Sequence, residues 1–371
     1  MIKAPLPNII VKLTSKIYSF SLYPSIYVRG QIMIARVCIF LPYAFSIPEG
    51  EKFKLYETSV DEYSIRLLLP KKSELADNYT GTDSIIIDGV AAFNADVLCI
   101  DFQKDEFDRS EKGNDPPAEF IEEIANYFLS RLKYVTGSPH IKPINFKFSS
   151  WDMEYLNNDG TELPKTNGSV NVRGSRKFTM SYTPLNKEVW ENIHSLDPNF
   201  TIPVWRILLI DAKAILPEIG PAIVLIFTAL EVFISKTLDE IAATGKVNDE
   251  LWEWINDRGP LKNPSVEEKY DFLSTHIIGR SIRENDDLWT LFKHIQKARN
   301  SFAHGGIAMI GDKVVTEQKV HTFIAKANKI IDFIKEGIPE QLRWPEFKYT
   351  IRVEAAKQIT KGENKKSSDN S

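Results

Sequence analysis

The hydrophobic period of this chain changes near residues 190–200, and this change constrains the fold more than any other feature. Before it, short runs rich in β-branched and aromatic residues are punctuated by proline and glycine, which is typical of strands. After it, apolar residues recur every three or four positions, the period of amphipathic helices. The sequence therefore predicts an α+β protein with a β-rich domain over 1–195 and a helical bundle over 196–345. Residues 346–371 form a polar extension that is predicted to be mostly disordered.

One helix and several strand signals organise the predicted β-rich domain. Residues 120–135 carry apolar side chains at helical spacing after a proline start, so we predict a helix that lies across the sheet. Two strands are predicted around Gly89 within 84–102, and another over 146–155. The Asn-Asn-Asp-Gly run at 157–160 is a strong hairpin turn signal. We therefore expect a mainly antiparallel sheet with one covering helix.

The helical part contains several amphipathic segments joined by short connections, which predicts an antiparallel bundle. The predicted helices are 205–218, 221–243, 249–257, 265–276, 285–306 and 317–336.

The segment 285–306 reads as one amphipathic helix that ends in the pattern Arg-Asn-x-x-x-His. Its apolar positions recur at three- and four-residue steps, and an asparagine and two aspartates suit its N-terminus. A double glycine is expected to end it. The residues of the apolar stripe are Leu288, Leu291, Phe292, Ile295, Ala298 and Phe302.

Arg299 continues this apolar stripe, so a permanently charged guanidinium lies on a face that should be buried and needs a partner. Asn300 and His304 share another face, about 100 to 140° around the helix from Arg299 at about 100° per residue. An unbroken helix would not place the imidazole of His304 against that guanidinium. Two arrangements remain open: the helix loosens before the glycines, or a second copy of the motif completes the site.

A second apolar helix, Gly220 to Gly245, contains Ala229-Leu230-Glu231 within its apolar run. Together with the Arg-Asn-x-x-x-His helix and its double glycine, this helix resembles the HEPN family of RNA-cutting and nucleotide-binding helical domains, and within it the ApeA-like group. The resemblance covers about 201–338. It implies that Arg299 and His304 are the catalytic pair of a ribonuclease, with Asn300 as the polar residue that follows the arginine. It implies less for Glu231, which matches a recurrent helix position and is assigned a supporting role.

The residue types suit the cleavage of RNA. An RNA strand carries its own nucleophile, the 2′-OH group, so a cleaving site needs proton transfer and stabilisation of negative charge on the phosphate. A histidine near neutrality and a fixed cation supply both. Other uses of these residues remain open, namely an arginine at an interface and a histidine at a helix end. Glu231 could equally be a bundle-core carboxylate paired with a cation.

The net charge of the chain, −4, argues against a general coat for nucleic acid, so an RNA contact must come from a local patch. The Arg-Asn-x-x-x-His helix offers one, because its basic residues cluster within a short span. We assign Lys293 and Lys297 to RNA binding, although both could form only the solvated face of the helix. The composition, 43% hydrophobic and 26% charged over 371 residues, suits two globular domains.

Cys38 and Cys99 lie in apolar, strand-like runs without Cys-x-x-Cys spacing, which favours buried thiols in a reducing compartment over ligands or a disulfide. No signal peptide is predicted, and the apolar stretches at 32–47 and 222–234 are interrupted and too short to span a bilayer. The remaining histidines lack metal-ligand spacing and no glycine-rich phosphate loop is present. We therefore expect a cytoplasmic protein that uses no metal or other cofactor and contacts no membrane.

Taken together, the sequence predicts a metal-independent endoribonuclease that acts in antiviral defence or stress, like a toxin, with the N-terminal domain sensing or gating. Its expected partners are RNA, a second copy of the chain in a homodimer, and a protein trigger or inhibitor. An acidic segment over 101–115 has the charge to bind such a protein or to mask the basic helix. Two other functions remain open: a module that binds RNA or a nucleotide without cleavage, and a structural dimerisation bundle.

Overall fold

The computed structural model describes residues 33–73, 84–104, 116–157, 182–256, 263–347 and 353–356. Within these ranges the chain forms an antiparallel β-sheet region followed by a mostly helical part, as an α+β protein does. The strands, in chain order, are β1 (Met33–Pro48), β2 (Tyr56–Val60), β3 (Tyr63–Leu67), β4 (Ser84–Ile87), β5 (Val90–Lys104), β6 (Trp151–Asn157), β7 (Tyr182–Pro184), β8 (Met309–Ile310), β9 (Lys313–Val314) and β10 (Val353–Ala356). The α-helices are α1 (Ala118–Thr136), α2 (Lys187–Ser195), α3 (Val204–Ala214), α4 (Ile219–Ile241), α5 (Asp249–Asn256), α6 (Val266–Glu268), α7 (Ser274–Ile277), α8 (Asp286–Gly305) and α9 (Glu317–Lys335).

The long strands β1 and β5 form the centre of the sheet and run antiparallel to each other. Strands β4 and β3 pair with the two halves of β5, and β6 pairs with the first half of β1. The register of β1 against β5 shifts between Phe40 and Phe45. Pro42 lies within this interval, and because proline has no N–H group it cannot donate to the ladder there. Strand β7 is the exception to the antiparallel pattern, since it pairs with β1 in parallel.

One face of the sheet packs against α1 and α2 and forms the first hydrophobic core. Alternation along β1 sends Val37 and Ile39 into this core, while Cys38 faces the other side. Helix α1 contributes the fully buried Phe128, and α2 contributes Trp190, whose Nε1 donates to the carbonyl oxygen of Lys54 at 2.6 Å. The sheet is therefore covered on one face by two helices rather than by one.

Helix α4 lies at the centre of the second core, where it contacts α3, α8 and α9. Its residues in this core include Ile223, Ile226, Leu230 and Phe233, all of which are fully buried. By length and composition α4 is the one helix of the described residues that could cross a membrane, and half of its most apolar window is buried in the protein. Its central position in the helical core accounts for this apolar composition without a bilayer, as in a soluble helix bundle.

The C-terminal half of α1 joins the two cores. Arg131 is almost completely buried and donates to the carbonyl oxygens of Asp197 at 2.7 Å and Pro198 at 2.9 Å, in the connection that leads to α3. Lys133 forms an ion pair with Asp211 of α3 at 2.5 Å. These contacts fix the β-rich part to the helical part, and Phe347, which packs against the first core, and β10, which pairs with β4, add further links from the C-terminal side.

Several local predictions are confirmed. Helix α1 covers the segment predicted at 120–135, and α8 and α9 agree with their predicted segments to within two residues at either end. The two strands predicted around Gly89 are β4 and β5, and Asp88 and Gly89 both have positive φ. An Asp-Gly pair with this conformation forms the tight hairpin turn that joins twisted strands.

Other predictions are wrong in part. Helix α2 occupies the region where the change of period was placed, because its nine residues were too short to show a helical period beside the preceding strands. The strand predicted over 146–155 begins only at Trp151, because the Asn145 carbonyl accepts from the N–H of both Phe148 and Ser149, which closes a turn. The extension at 346–371 contains β10, which returns to pair with β4 and is therefore not disordered there.

The acidic segment at 101–115 also differs from its prediction where the structure describes it. Asp101 belongs to β5, is 4% exposed, and receives two hydrogen bonds from Arg36 at 2.7 and 2.9 Å. This carboxylate is occupied by an arginine of its own sheet and does not face a protein partner. Residues 105–115 and the turn at 158–160 lie outside the described residues.

Candidate functional site

Helix α8 carries the Arg-Asn-x-x-x-His motif without a break. The side chain of Asn285 caps its start by accepting from the N–H of Leu288 at 3.1 Å, with two aspartates in the first turn. The helix continues to Gly305, and Gly306 ends it with φ of 72° while its N–H donates to the carbonyl of Phe302 at 2.8 Å. The predicted start and end are confirmed. Since the helix does not loosen before the glycines, the first of the two arrangements left open by the sequence is wrong.

Arg299 is half-buried at the edge of the apolar face of α8. Its guanidinium carbon lies 5.5 Å from the centre of the Phe227 ring on α4, a cation–π contact. Its Nη1 donates to Oδ1 of Asn300 at 3.1 Å. Among the described residues no carboxylate pairs with it. The aromatic ring and the amide therefore hold this cation in place and leave its charge uncompensated.

His304 lies on the opposite side of the same helix. Its side chain is exposed, and no hydrogen bond or ion pair to it occurs within the described residues. Five residues along a continuous helix separate it from Arg299 by about 140° of rotation and about 7.5 Å of rise. One copy of the chain thus brings Arg299 and Asn300 together but does not bring His304 to them.

The motif end of α8 is fixed by a close approach to α4. Gly220, near the start of α4, lies directly beneath the ring of Phe302, and a Cβ atom on this glycine would be 2.1 Å from that ring. Helices can approach this closely only where one of them has no side chain. Because Phe302 sits between Arg299 and His304 in the motif, this contact sets where both residues lie on the surface of the bundle.

Glu231, the residue assigned a supporting role, is not brought to Arg299. Gly220 meets Phe302 and Phe227 packs near Phe292, so α4 and α8 run antiparallel. Glu231 follows Phe227 by one turn of α4 and therefore lies towards the N-terminal end of α8, away from the motif. It is half-exposed, and no ion pair to it occurs in the described part of the chain.

The two lysines assigned to RNA binding differ in their surroundings. Lys293 forms an ion pair with Glu267 of α6 and lies over the Trp289 ring, so its charge is partly neutralised. Lys297 is exposed. It is seven residues before His304, so the two share one face of α8 and are separated by about 10.5 Å along the axis.

Helix α9 adds two basic residues that the sequence analysis missed. Partial burial lowers the pKa of His294, and the positive charges of Lys319, Lys297 and Lys326 lower it further. The charged groups that shift this pKa are three lysines, which therefore lie near His294. The seven-residue spacing of Lys319 and Lys326 on one face of α9 was the signal that could have revealed them. We call Lys297, Lys319, Lys326 and His294 the α8–α9 basic face.

Comparison with known proteins finds no family model, no curated protein and no solved structure that matches this chain. Across the ranges that the structure covers, no three His, Cys, Asp or Glu side chains are grouped so that they could hold a metal ion. The case for a function therefore rests on the geometry of α8 and on the residue types that it presents.

The close approach of α4 and α8 predicts an unusual response to alanine. Gly220→Ala should lower the free energy of unfolding by about 1–3 kcal/mol, because the new methyl group would force the Phe302 ring to move. The matched control is Gly305→Ala on α8, where nothing lies within 4 Å of the added Cβ. That variant should be neutral or stabilising by up to about 1 kcal/mol. Urea unfolding measures the free energy of unfolding of both variants. Equal stabilisation of the two variants would show that Gly220 does not lie against the Phe302 ring.

Proposed function

We propose that this protein is a metal-independent endoribonuclease whose active site is formed by two copies of α8. The observation that carries the proposal is the held but uncompensated guanidinium of Arg299, on the helix that ends in the exposed His304. A structural arginine in a core is normally paired with a carboxylate, because a buried charge without one is costly. An arginine that is positioned without such a pair is suited to receive the negative charge of a substrate.

The chemistry follows from these residue types. The 2′-OH of a ribose attacks the adjacent phosphorus atom, the bond to the 5′ oxygen breaks, and the products are a 2′,3′-cyclic phosphate and a 5′-hydroxyl. His304 accepts the proton of the 2′-OH and returns a proton to the departing 5′ oxygen, since an imidazole can act as a base, and its protonated form as an acid, near neutral pH. Arg299 donates to the phosphate oxygens as their charge increases, with its plane fixed by Asn300. The resemblance to HEPN ribonucleases supports the same assignment.

A second copy of the chain supplies the missing geometry. A two-fold axis beside α8 would bring His304 of one copy towards Arg299 of the other, in an isologous contact. Helix α4, whose Phe227 contacts Arg299, also carries half-exposed residues at helical spacing that could take part in such a contact. These residues are Val224, Leu225, Thr228 and Val232. A homodimer with one shared cleft is therefore the active form.

The α8–α9 basic face provides the local patch that an acidic protein needs to bind RNA. Lys297, Lys319 and Lys326 are exposed, and their positive charges all act on His294. Phosphate contacts of this kind position a strand without reading its sequence. Lys297 shares its helix face with His304, so a strand held there would lead to the cleavage site. Lys293 contributes less, because Glu267 already neutralises it.

The β-rich domain is proposed to gate the bundle, since its described residues contain no cleavage chemistry and one of its contacts with the helical part is made by α1. This contact borders a cavity of about 250 Å³. Its wall includes Tyr134 of α1, Arg206 of α3 and Asn328 of α9, and Arg206 donates to Asn328 at 2.9 Å. A trigger that binds only one relative position of the domains would shift the equilibrium between a closed and an open state. A cleft between domains is a common place for such a ligand.

One observation favours a second function. Within one copy His304 is remote from Arg299, so a chain that acts alone would hold RNA through its lysines and Arg299 without cutting it. The two functions differ in their dependence on the dimer and in their products.

Cleavage should depend on both residues of the motif. Arg299→Ala and His304→Ala should each lower the cleavage of a single-stranded RNA by at least about 100-fold, the usual scale for the loss of a proton-transfer or charge-stabilising group. His304 is exposed and Arg299 contributes one cation–π contact at the edge of the core, so the free energy of unfolding should fall by no more than about 2 kcal/mol in either variant. The matched controls are Arg283→Ala and His276→Ala, which alter the same residue types on the surface of the bundle and should keep full activity.

The nature of the products separates the proposed mechanism from others. Cleavage should persist in a metal chelator, and a single 2′-deoxy substitution at the cut site should block it. Cutting of an all-DNA strand, loss of activity in the chelator, or full activity of either motif variant would contradict the assignment. RNA binding by the wild type without any cleavage would favour the second function.

The gate is tested at the ion pair between the domains. Lys133→Met keeps the length of a nearly buried side chain but removes its pair with Asp211, which is 40% exposed. Loss of this ion pair should destabilise the closed state by about 0.2–1 kcal/mol. If the contact holds the closed state, the rate of RNA cleavage should therefore increase by up to about fivefold. The control is Lys147→Met, an exposed position away from the junction. Unchanged activity in a folded Lys133→Met protein would instead favour a role for the β-rich domain in delivering substrate.

A further inference from the structure

The two cysteines of the chain, 61 residues apart in sequence, meet directly in the sheet. Cys38 of β1 and Cys99 of β5 are opposite each other in the antiparallel register. Both point away from the core that α1 covers and belong to a small cluster on the other face of the sheet, with Val97 as its third buried member. Cys38 is 8% exposed and Cys99 is 2% exposed. Neither takes part in the site proposed above.

The backbone hydrogen bonds show that Cys38 and Cys99 form a non-hydrogen-bonded pair, the kind of antiparallel pair in which the two Cα atoms lie closer together. The carbonyl of Cys99 accepts from the N–H of Leu68 at 3.0 Å, so the peptide groups of Cys99 face away from β1. The N–H of Phe40, two residues after Cys38, donates to Ser150 at 2.9 Å, so the peptide groups on this side of β1 face away from β5. Opposed residues that share no hydrogen bond have Cα atoms about 4.5 Å apart. That spacing is within the range of about 4.4–6.8 Å over which a disulfide can form.

The two thiols are not equivalent. A hydrogen bond from the Cys99 thiol lowers the pKa of Cys38, and the ammonium group of Lys71 lowers it further, while burial acts in the opposite direction. The same hydrogen bond and burial raise the pKa of Cys99. Arg36 also favours a negative charge at Cys99, and Glu154 opposes one at Cys38. Cys38 is also the more exposed of the two thiols and the one that accepts a hydrogen bond from the Lys71 side chain, so we take it as the nucleophilic member of the pair and Cys99 as its partner.

Lys71 is held beside the pair by the backbone rather than by chance. Its N–H donates to the carbonyl of Val97 at 2.9 Å, and its carbonyl accepts from the N–H of Val97 at 3.0 Å. This bridge fixes the lysine on the outer edge of β5, two residues from Cys99. A cation, a more acidic thiol and a second thiol within bonding distance are the components of a reactive dithiol.

We propose that Cys38 and Cys99 form a modification site that hydroperoxides oxidise to a reversible cross-strand disulfide. The Cys38 thiolate attacks one oxygen of hydrogen peroxide and breaks the O–O bond, so that Cys38 becomes a sulfenic acid and, with one proton, water leaves. The Cys99 sulfur then attacks the Cys38 sulfur, the S–O bond breaks, and the Cys99 proton leaves with the hydroxyl as a second water. The two thiols are oxidised by two electrons, and the peroxide is reduced to two waters.

This site gives the sheet a covalent link between its two central strands under oxidising conditions. In a reducing compartment the pair stays as thiols, and a small thiol reverses the disulfide by exchange. The link lies in the β-rich domain, outside the bundle that carries Arg299. Its existence does not depend on ribonuclease activity.

The test uses the full chain and hydrogen peroxide, followed by mass spectrometry of the intact and digested protein. The wild type should lose two hydrogen masses, yield a peptide pair joined through Cys38 and Cys99, and return to the free thiols with dithiothreitol. With a sulfenic acid reagent such as dimedone present, Cys99→Ser should be labelled at Cys38, because no second thiol remains to resolve the intermediate. Cys38→Ser should remain unlabelled over the same time.

Lys71→Met provides a variant that keeps both thiols, and its oxidation should be slower by roughly three- to tenfold because the thiolate loses its cation. Lys52→Met, an exposed lysine elsewhere in the β-rich domain, is the matched control and should oxidise at the wild-type rate. Equal labelling of the two serine variants, an unchanged rate in Lys71→Met, or a wild type that gains oxygen without losing two hydrogens would each overturn the proposal. Circular dichroism of every variant shows whether its sheet is intact.

Discussion

The central constraint of the helical part is the position of one permanent charge at the edge of a buried helix face. Arg299 follows the apolar stripe of α8, where a cation would normally require a carboxylate. The protein stabilises it with the face of Phe227 and the amide of Asn300, neither of which cancels its charge. The close approach of α4 and α8 at Gly220 and Phe302 holds both helices in this arrangement. The packing of α4 against α8 thus determines both the geometry of the bundle and the position of the uncompensated cation.

The same packing separates the arginine from the histidine. A helix that runs without a break to Gly305 places His304 on its exposed face, while Arg299 remains against α4. If the motif is catalytic, its two halves must come from different copies of the chain. In the proposed dimer, the RNA strand would lie along the basic residues of α8 and α9, and the two-fold axis would lie beside Arg299. The proposed gating by the β-rich domain would act through its contacts with the helical part, which include those of α1.

The sequence predicted those features that depend on local patterns. The caps and length of α8 followed from Asn285 and the two glycines, and the strands β4 and β5 were predicted on either side of Gly89. The apolar run of α4 predicted a helix of the bundle. These predictions succeed because capping, turn conformation and hydrophobic period are determined within a few residues.

Features that depend on distant residues were not predictable in this way. No spacing links Cys38 to Cys99, whose pairing follows from the register of β1 and β5. The contact of Arg299 with Phe227, and the contribution of Lys326 to the basic face, require the packing of α4 and α9 against α8. The sequence also allowed Glu231 to support the site, whereas the antiparallel direction of α4 places it away from the motif. A local pattern can identify the reactive residue types but cannot decide which of them meet.

The measurement that tests the central claim most directly is activity after subunit exchange between two inactive variants. Arg299→Ala and His304→Ala proteins are purified separately, mixed in equal amounts, and exchanged under mild denaturant, with each protein alone treated in the same way. If the site is composite, half of the exchanged dimers retain one intact Arg299–His304 pair, and the mixture should recover roughly a quarter of the wild-type activity. Mass-tagged subunits show whether exchange has taken place. A mixture that has exchanged but stays as inactive as its parents would contradict the account. An active monomer in sedimentation would also contradict it.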